Sequence, residues 1–161
     1  MGEYIKDINT LKKIVETERS KGKKIVFGNG CFDIIHVGHI RYLRAAKKLG
    51  DILIVAINDD ESITKLGKRK KVVTPAMERA EILTAIGCVD YVITFNEPTM
   101  ERLLLELKPD IHAKGTDYTE ETVPEKDIVL SYGGKVAIVG DPKNHSTSDI
   151  IKTIHDLYRI E

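Results

Sequence analysis

The sequence predicts an α/β fold: a Rossmann-like, doubly wound parallel sheet of about five strands. Three observations predict it. Short, β-branched apolar runs alternate with amphipathic stretches along all 161 residues. The apolar runs are nearly continuous rather than every-other-residue, as in strands covered on both faces. Caps, glycines and prolines fall between the runs, where such a fold needs its turns. No repeat, low-complexity tract or linker breaks the pattern, so residues 1–161 read as one domain.

The elements follow in order. Residues 7–20 are an amphipathic helix, and "KKIVFG" (23–28) is the first strand. A helix over 37–49 stops at Gly50, read as a C-cap glycine. "ILIVAI" (52–57) is the most apolar strand, followed by a helix over 59–66 and a basic loop, "LGKRKKVVT" (66–74). Thr74-Pro75 reads as an N-cap with a first-turn proline, opening a helix over 75–86 that Gly87 closes. Then come "YVITF" (91–95), a helix over 99–107, "IHAK" (111–114) and a polar loop, "GTDYTEETVPEK" (115–126). A helix over 125–132, "KVAIVG" (135–140) and a helix over 148–159, opened by Ser148-Asp149, complete the chain. On such folds ligands bind at the carboxyl ends of the strands.

Composition narrows the function. Lys plus Arg and Asp plus Glu balance at 25 each, so no polybasic field exists to hold nucleic acid or an anionic membrane. The only cysteines, Cys31 and Cys88, have neither disulfide nor zinc-knuckle spacing and suggest a reducing compartment. The start "MGEYIKDINTLKK" lacks a signal-peptide h-region, and Lys6 stands where a myristoylation signal wants Ser or Thr. No apolar run approaches the roughly 20 residues of a membrane span. A cytoplasmic protein is the expectation.

The chemistry concentrates in "FGNGCFDIIHVGHIRYLRAAKKLGD" (27–51). Gly28 and Gly30 suit a sharp turn and close approach to a ligand. The third glycine of a dinucleotide fingerprint falls on Asp33, and no G-K-[S/T] follows, so neither a dehydrogenase loop nor a Walker A loop is present. His36 and His39 stand at the mouth of the next helix, where free N–H groups and the dipole favour an anion. Lys47, on nearly the same side, is expected to lean back toward that mouth. An H-x-x-H pair can also bind metal, but helical metal pairs stand more often at i, i+4, and no acidic or cysteine partner completes this one. No protein-held metal is expected. Two histidines, an ammonium and a helix start suit a triphosphate.

"GCFDIIHVGH" resembles the H-x-G-H signature of the nucleotidyltransferase superfamily. The likeness extends through "VVTPAMERAEILTAIGCVDYVITF", "KPDIHAKGTDY" and "HSTSDIIKTI", and over roughly residues 10–160 it is to the heptose 1-phosphate adenylyltransferases. That resemblance implies transfer of AMP from ATP to a sugar 1-phosphate, giving ADP-heptose and pyrophosphate, with Mg2+ arriving on ATP. It implies that His36, His39 and Lys47 stabilise charge on the phosphates. It places Gly30, Cys31 and Phe32 around them, with Ser146, Thr147 and Ser148 at the last helix. Lys114, Gly115, Asp117 and Tyr118 match a family "KGxDY", although Thr116 stands where relatives usually have glycine, and an ordinary turn accounts for the segment as well. Arg79 matches an arginine near the nucleotide, or is an exposed helix charge. Asp33 is assigned to sugar-hydroxyl or loop-shaping contacts, with Asn58 and Asp59 on the acceptor side. Arg69 lies in the basic loop, which is either a lid or a solvated turn. Relatives form homo-oligomers, and a dimer is favoured. The ending "PKNHSTS" lacks the arginine and glycine of the glycerol 3-phosphate cytidylyltransferases, which rank second. A non-catalytic nucleotide-binding module ranks third.

Overall fold

The computed structural model describes residues 1–67, 70–142 and 144–158. Its elements are β1 (Glu3–Tyr4), α1 (Ile8–Ser20), β2 (Ile25–Gly30), α2 (Val37–Lys47), β3 (Ile52–Asn58), α3 (Asp60–Lys65) and α4 (Ala76–Thr84). They continue with β4 (Tyr91–Phe95), α5 (Glu101–Leu107), β5 (Ile111–Lys114), α6 (Lys126–Ser131), β6 (Lys135–Ile138) and α7 (Thr147–Tyr158). Among the described residues the sheet has six strands in the order β1-β4-β3-β2-β5-β6. Every pairing is parallel. The strand missing from the sequence reading is β1, two residues at the edge beside β4 and too short to show a period.

Alternation along the strands splits the core into two layers. Ile25, Phe27, Ile54 and Ile93 pack with Leu11 and Val15 of α1 and Leu103, Leu104 and Leu107 of α5. Val26, Leu53, Val55 and Val92 face the opposite way, against Leu43 and Ala46 of α2 and Ala80 and Leu83 of α4. All seven residues of β3 are buried, the physical reason its sequence is uniformly apolar. The chain winds outward from β2 through β3 to β4, then crosses back to lay β5 on the other side of β2. This reversal opens a crevice at the carboxyl ends of β2 and β5, where open parallel sheets take their ligands.

Several local readings change. Gly28 and Gly30 lie inside β2 and neither has a positive φ; the left-handed residue is Phe32, at φ 50°. Gly28 is required by packing instead, because a Cβ there would stand 2.5 Å from the Tyr42 hydroxyl. Gly50 is likewise not a left-handed cap: a Cβ would meet Lys24 O at 2.9 Å. Thr74 does not cap α4, which starts after Pro75 with no side-chain cap. The last helix starts one residue early, and Ser146 opens it: its hydroxyl accepts from Asp149 N at 3.1 Å.

Candidate active site at the mouths of two helices

A cleft of about 430 Å3 occupies the crevice. It is walled by the end of β2, the start of α2, the segment after β5 and the start of α7. His36 is the N-cap residue of α2, with φ −138° and ψ 176°. Its Nδ1 accepts from Gly38 N at 3.1 Å, and His39 Nδ1 accepts from His36 N at 3.2 Å. Both rings therefore answer orphan donors of the helix start. A nitrogen that accepts a backbone N–H carries no proton, so each neutral ring keeps its proton on Nε2. The two rings lie 4.0 Å apart, tilted by 36°, and Phe32 packs on His39 with ring centres 5.0 Å apart.

This packing favours neutral imidazoles. Burial, then the neighbouring His36, pushes the His39 pKa down to about 4. Burial and the nearby His145 lower that of His36, with Asp149 opposing. At neutral pH each histidine is thus an uncharged ring whose Nε2–H is its available donor. Gly38 makes this possible, since a Cβ there would stand 2.9 Å from His36 Cε1. The space beside Gly38 is filled by the His36 imidazole.

The cleft brings together Gly30, Cys31, Phe32, His36, His39, Asn58, Lys114, Gly115, Asp117, Tyr118, Ser146, Thr147 and Ser148. Thr147 Oγ1 reaches Ile34 O at 3.4 Å, tying the α7 mouth to the segment that leads into α2. Thr116 Oγ1 donates to Asp141 O at 2.8 Å and braces the turn after β5. Lys114 is buried, with its ammonium 4.6 Å from the Tyr118 ring centre and 3.8 Å from Glu125 Oε2. Two helix N-termini open on the crevice beside this ammonium, and each favours negative charge locally.

Other expected residues lie elsewhere. Lys47 sits at the far end of α2, where its ammonium pairs with Asp90 and donates to Asp51 O at 2.6 Å. Eight residues of helix separate it from His39, about 12 Å of rise, away from the cleft. Arg79 is fully buried, so it is not an exposed helix charge, and it is not among the residues that line the cleft. It donates to Thr74 O at 2.9 Å, Cys31 O at 2.5 Å and Asn58 O at 2.8 Å, and pairs with Asp60 at 2.7 Å. Asp33 accepts from Val73 N at 3.0 Å and Thr74 N at 2.8 Å, contacts that shape the loop before α4. Asp59 caps α3 through Ser62 N at 2.7 Å and does not line the cleft. Arg69 lies outside the described residues.

The sequence reading also missed residues that line the cleft. Arg41, one turn into α2, reaches it and pairs with Asp141 at 2.8 Å. Asn29, Tyr42, Asn144 and His145 line it as well. Arg41 and Asn29 were findable, since one follows His39 by two residues and the other separates the two glycines.

A cytidylyltransferase-like family model matches residues 27–153, a span that holds both histidines and the α7 mouth. The chain belongs to this family. Among curated relatives, the bifunctional protein HldE of Geobacter metallireducens is 47% identical over 96% of the chain, which covers 31% of that relative. Its counterpart in Syntrophotalea carbinolica is 47% identical over 92% of the chain and 30% of the relative. The chain therefore spans about a third of the length of these relatives. The crystal structure of the lipopolysaccharide core biosynthesis protein from Thermoplasma volcanium matches with a TM-score of 0.66 and 31% identity, covering 76% of this chain and all of that one. The pantoate-beta-alanine ligase from Francisella tularensis, complexed with an ATP species and beta-alanine, shares the fold alone at 18% identity and a TM-score of 0.65, over 100% of this chain and 80% of that one. As a member of the cytidylyltransferase-like family the chain is a nucleotidyltransferase, and the matched span contains the H-x-G-H segment His36–His39. Among the described residues no helix is long and apolar enough to cross a membrane.

Proposed function

We propose that the chain transfers AMP from ATP to D-glycero-β-D-manno-heptose 1-phosphate, giving ADP-heptose and pyrophosphate. One observation carries the reading. The first turn of α2 uses Nδ1 of both His36 and His39, which leaves two Nε2–H donors beside the α7 mouth in one cleft. Neutral donors and helix dipoles suit a triphosphate whose charge moves during reaction. The resemblance to heptose 1-phosphate adenylyltransferases and the similarity to the HldE relatives supply the acceptor.

The acceptor phosphate is already largely a dianion at neutral pH, so no general base and no enzyme nucleophile are required. One of its oxygens attacks the α-phosphorus in line. The bond from that phosphorus to the bridging oxygen breaks, and pyrophosphate leaves with the electron pair. His36, His39, Ser146, Thr147 and Ser148 donate to the non-bridging and departing oxygens, and Lys114 neutralises charge near Asn29 and Tyr118. Positioning and charge stabilisation are the enzyme's contribution. A second cavity of about 310 Å3 adjoins the cleft and shares Asn29, Asn58, Lys114 and Tyr118 with it. The heptose is assigned to that cavity, whose polar lining includes Thr99, Glu101 and Glu125.

A divalent cation enters this reading as a companion of the triphosphate, held by phosphate oxygens and water, with the Asp117 carboxylate lining the same cleft. We assign Mg2+, which when bound neutralises charge on the phosphate oxygens. A homodimer completes the reading, and α7 offers Ile151, Ile154 and Leu157 as exposed apolar surface for it.

Pyrophosphate release tests the assignment, with ATP, CTP and GTP each set against heptose and hexose 1-phosphates and glycerol 3-phosphate. ATP with the heptose 1-phosphate is expected to turn over fastest. Preference for CTP with glycerol 3-phosphate would replace the reading by a cytidylyltransferase. Nucleotide binding with no turnover in any pair would replace it by a binding module.

A further inference from the structure

Next to the cleft lies a buried histidine that the mechanism does not use. His112, in the middle of β5, is fully buried and packs edge-on against Phe27 with ring centres 5.6 Å apart. Its Nδ1 is buried without a hydrogen-bond partner, while Nε2 lies 3.1 Å from Asn29 Oδ1. An orphaned N–H is the rarer and costlier defect in an interior than an orphaned acceptor. The proton therefore belongs on Nε2, which donates to Asn29. Burial, with Lys114 nearby, pushes the His112 pKa down to about 3, consistent with a neutral ring. The ammonium of Lys114 approaches the same Asn29 oxygen at 3.4 Å. A lysine has only donors to offer, so the Asn29 amide cannot turn its NH2 group toward this pair. It must point the other way, where Asn29 lines both the nucleotide cleft and the adjoining cavity.

We propose that His112 is a positioning residue: from inside the sheet it holds the Asn29 carbonyl inward, so that the Asn29 NH2 is presented to a phosphoryl oxygen where the two cavities meet. The proposal rests on the proposed transfer reaction for the identity of that phosphoryl group. The orientation of the amide itself depends only on the contacts above. No sequence signal marks His112, because its role appears only when β5 is laid beside β2.

The decisive measurement follows the Asn29 side-chain amide by 15N NMR in the whole protein, titrated with ATP and separately with pyrophosphate. Its resonances are expected to shift with either ligand. His112→Leu removes the donor at similar volume, and His112→Gln keeps an N–H near the position of Nε2. The shift is expected to collapse in the leucine variant and return in the glutamine variant. In kinetics, His112→Leu is expected to lower kcat about tenfold with little change in KM for ATP. In an Asn29→Ala background the same substitution is expected to change nothing further. An Asn29 amide indifferent to both ligands in the wild-type protein overturns the proposal. So does a His112→Leu loss of equal size with and without Asn29. Should His112→Leu fail to fold, the wild-type titration and the glutamine variant still decide. Absence of turnover with every acceptor, alongside a responsive amide, overturns the transfer reaction and leaves the positioning role standing.

Discussion

At the scale of single residues, the two histidines of α2 show how one side chain serves both fold and chemistry. Each spends Nδ1 on a backbone N–H of the helix start and keeps Nε2–H for the cleft. In the proposed reaction, replacing His39 by Ala removes one donor to the phosphates, a loss typically worth about 3–4 kcal/mol of barrier. It also removes a capping contact, typically worth about 1 kcal/mol of stability. The expected outcome is a folded protein with turnover reduced at least a hundredfold and a slightly lower Tm. Steady-state pyrophosphate release with a thermal melt checks both, and wild-type turnover would remove His39 from the mechanism. Arg79 makes the opposite case. It lies buried among three carbonyl oxygens and Asp60. Arg79→Met leaves three carbonyl oxygens without this donor, and a buried group left unsatisfied typically costs about 1–3 kcal/mol, while the half-exposed Asp60 turns to water. A denaturant titration should register that fall, whereas a nucleotide ligand would show its loss in ATP affinity at unchanged stability. Its motif position matched a nucleotide arginine, but burial is a property of the assembled loops and could not be read from neighbours in sequence.

At the scale of elements, direction matters more than side. The helical pattern places Lys47 and His39 near one face of α2, and that much was legible. They nevertheless sit at opposite ends of a helix whose mouth faces one edge of the sheet and whose tail faces the other. Asp90, just before β4, takes the Lys47 ammonium and also accepts from Leu53 N at 2.7 Å. Arg41, within one turn of His39, is the cation that α2 sends to the cleft. Lys47→Met should leave KM for ATP unchanged, while Arg41→Met should raise it severalfold; the reverse result would restore the original assignment. The glycines of β2 were legible as positions of close approach, but not as strand residues. What approaches Gly28 is Tyr42, whose hydroxyl donates to Ala113 O at 2.8 Å. Gly28→Ala should displace that ring and cost about 1–3 kcal/mol, as overpacking does, which a shift in denaturation midpoint would report.

At the scale of the whole molecule, neutral buried histidines set how stability depends on pH. His39 and His112 have folded pKa values of about 4 and about 3, against about 6.5 in an unfolded chain. Between these values the unfolded state binds protons that the folded state refuses, so stability rises with pH across this window. Acidifying from about pH 6.5 toward pH 4 is therefore expected to lower Tm, with no further contribution from these groups above pH 7. His112→Gln should flatten part of that slope. Thermal melts across the range check it, and a slope unchanged in His112→Gln would mean that the ring titrates normally. The fold that buries these rings was legible in outline, because strand–helix alternation is repeated many times along the chain. The two-residue β1 was not, since its pairing with β4 rests on about ninety residues of intervening chain.

The sequence by itself determined the alternation of strands and helices, the family signature and the placing of two imidazoles at a helix mouth. These depend on residues within one turn or one strand of each other, where periodicity and capping act. Only the tertiary structure decided which charges reach the cleft. Lys114, Ser146 and Thr147 come to the histidines because the crossover sets β5 beside β2 and carries the α7 mouth back to the same edge. Lys47 and Arg79 are drawn instead to Asp90 and Asp60, partners distant in sequence that compete more strongly for their hydrogen bonds.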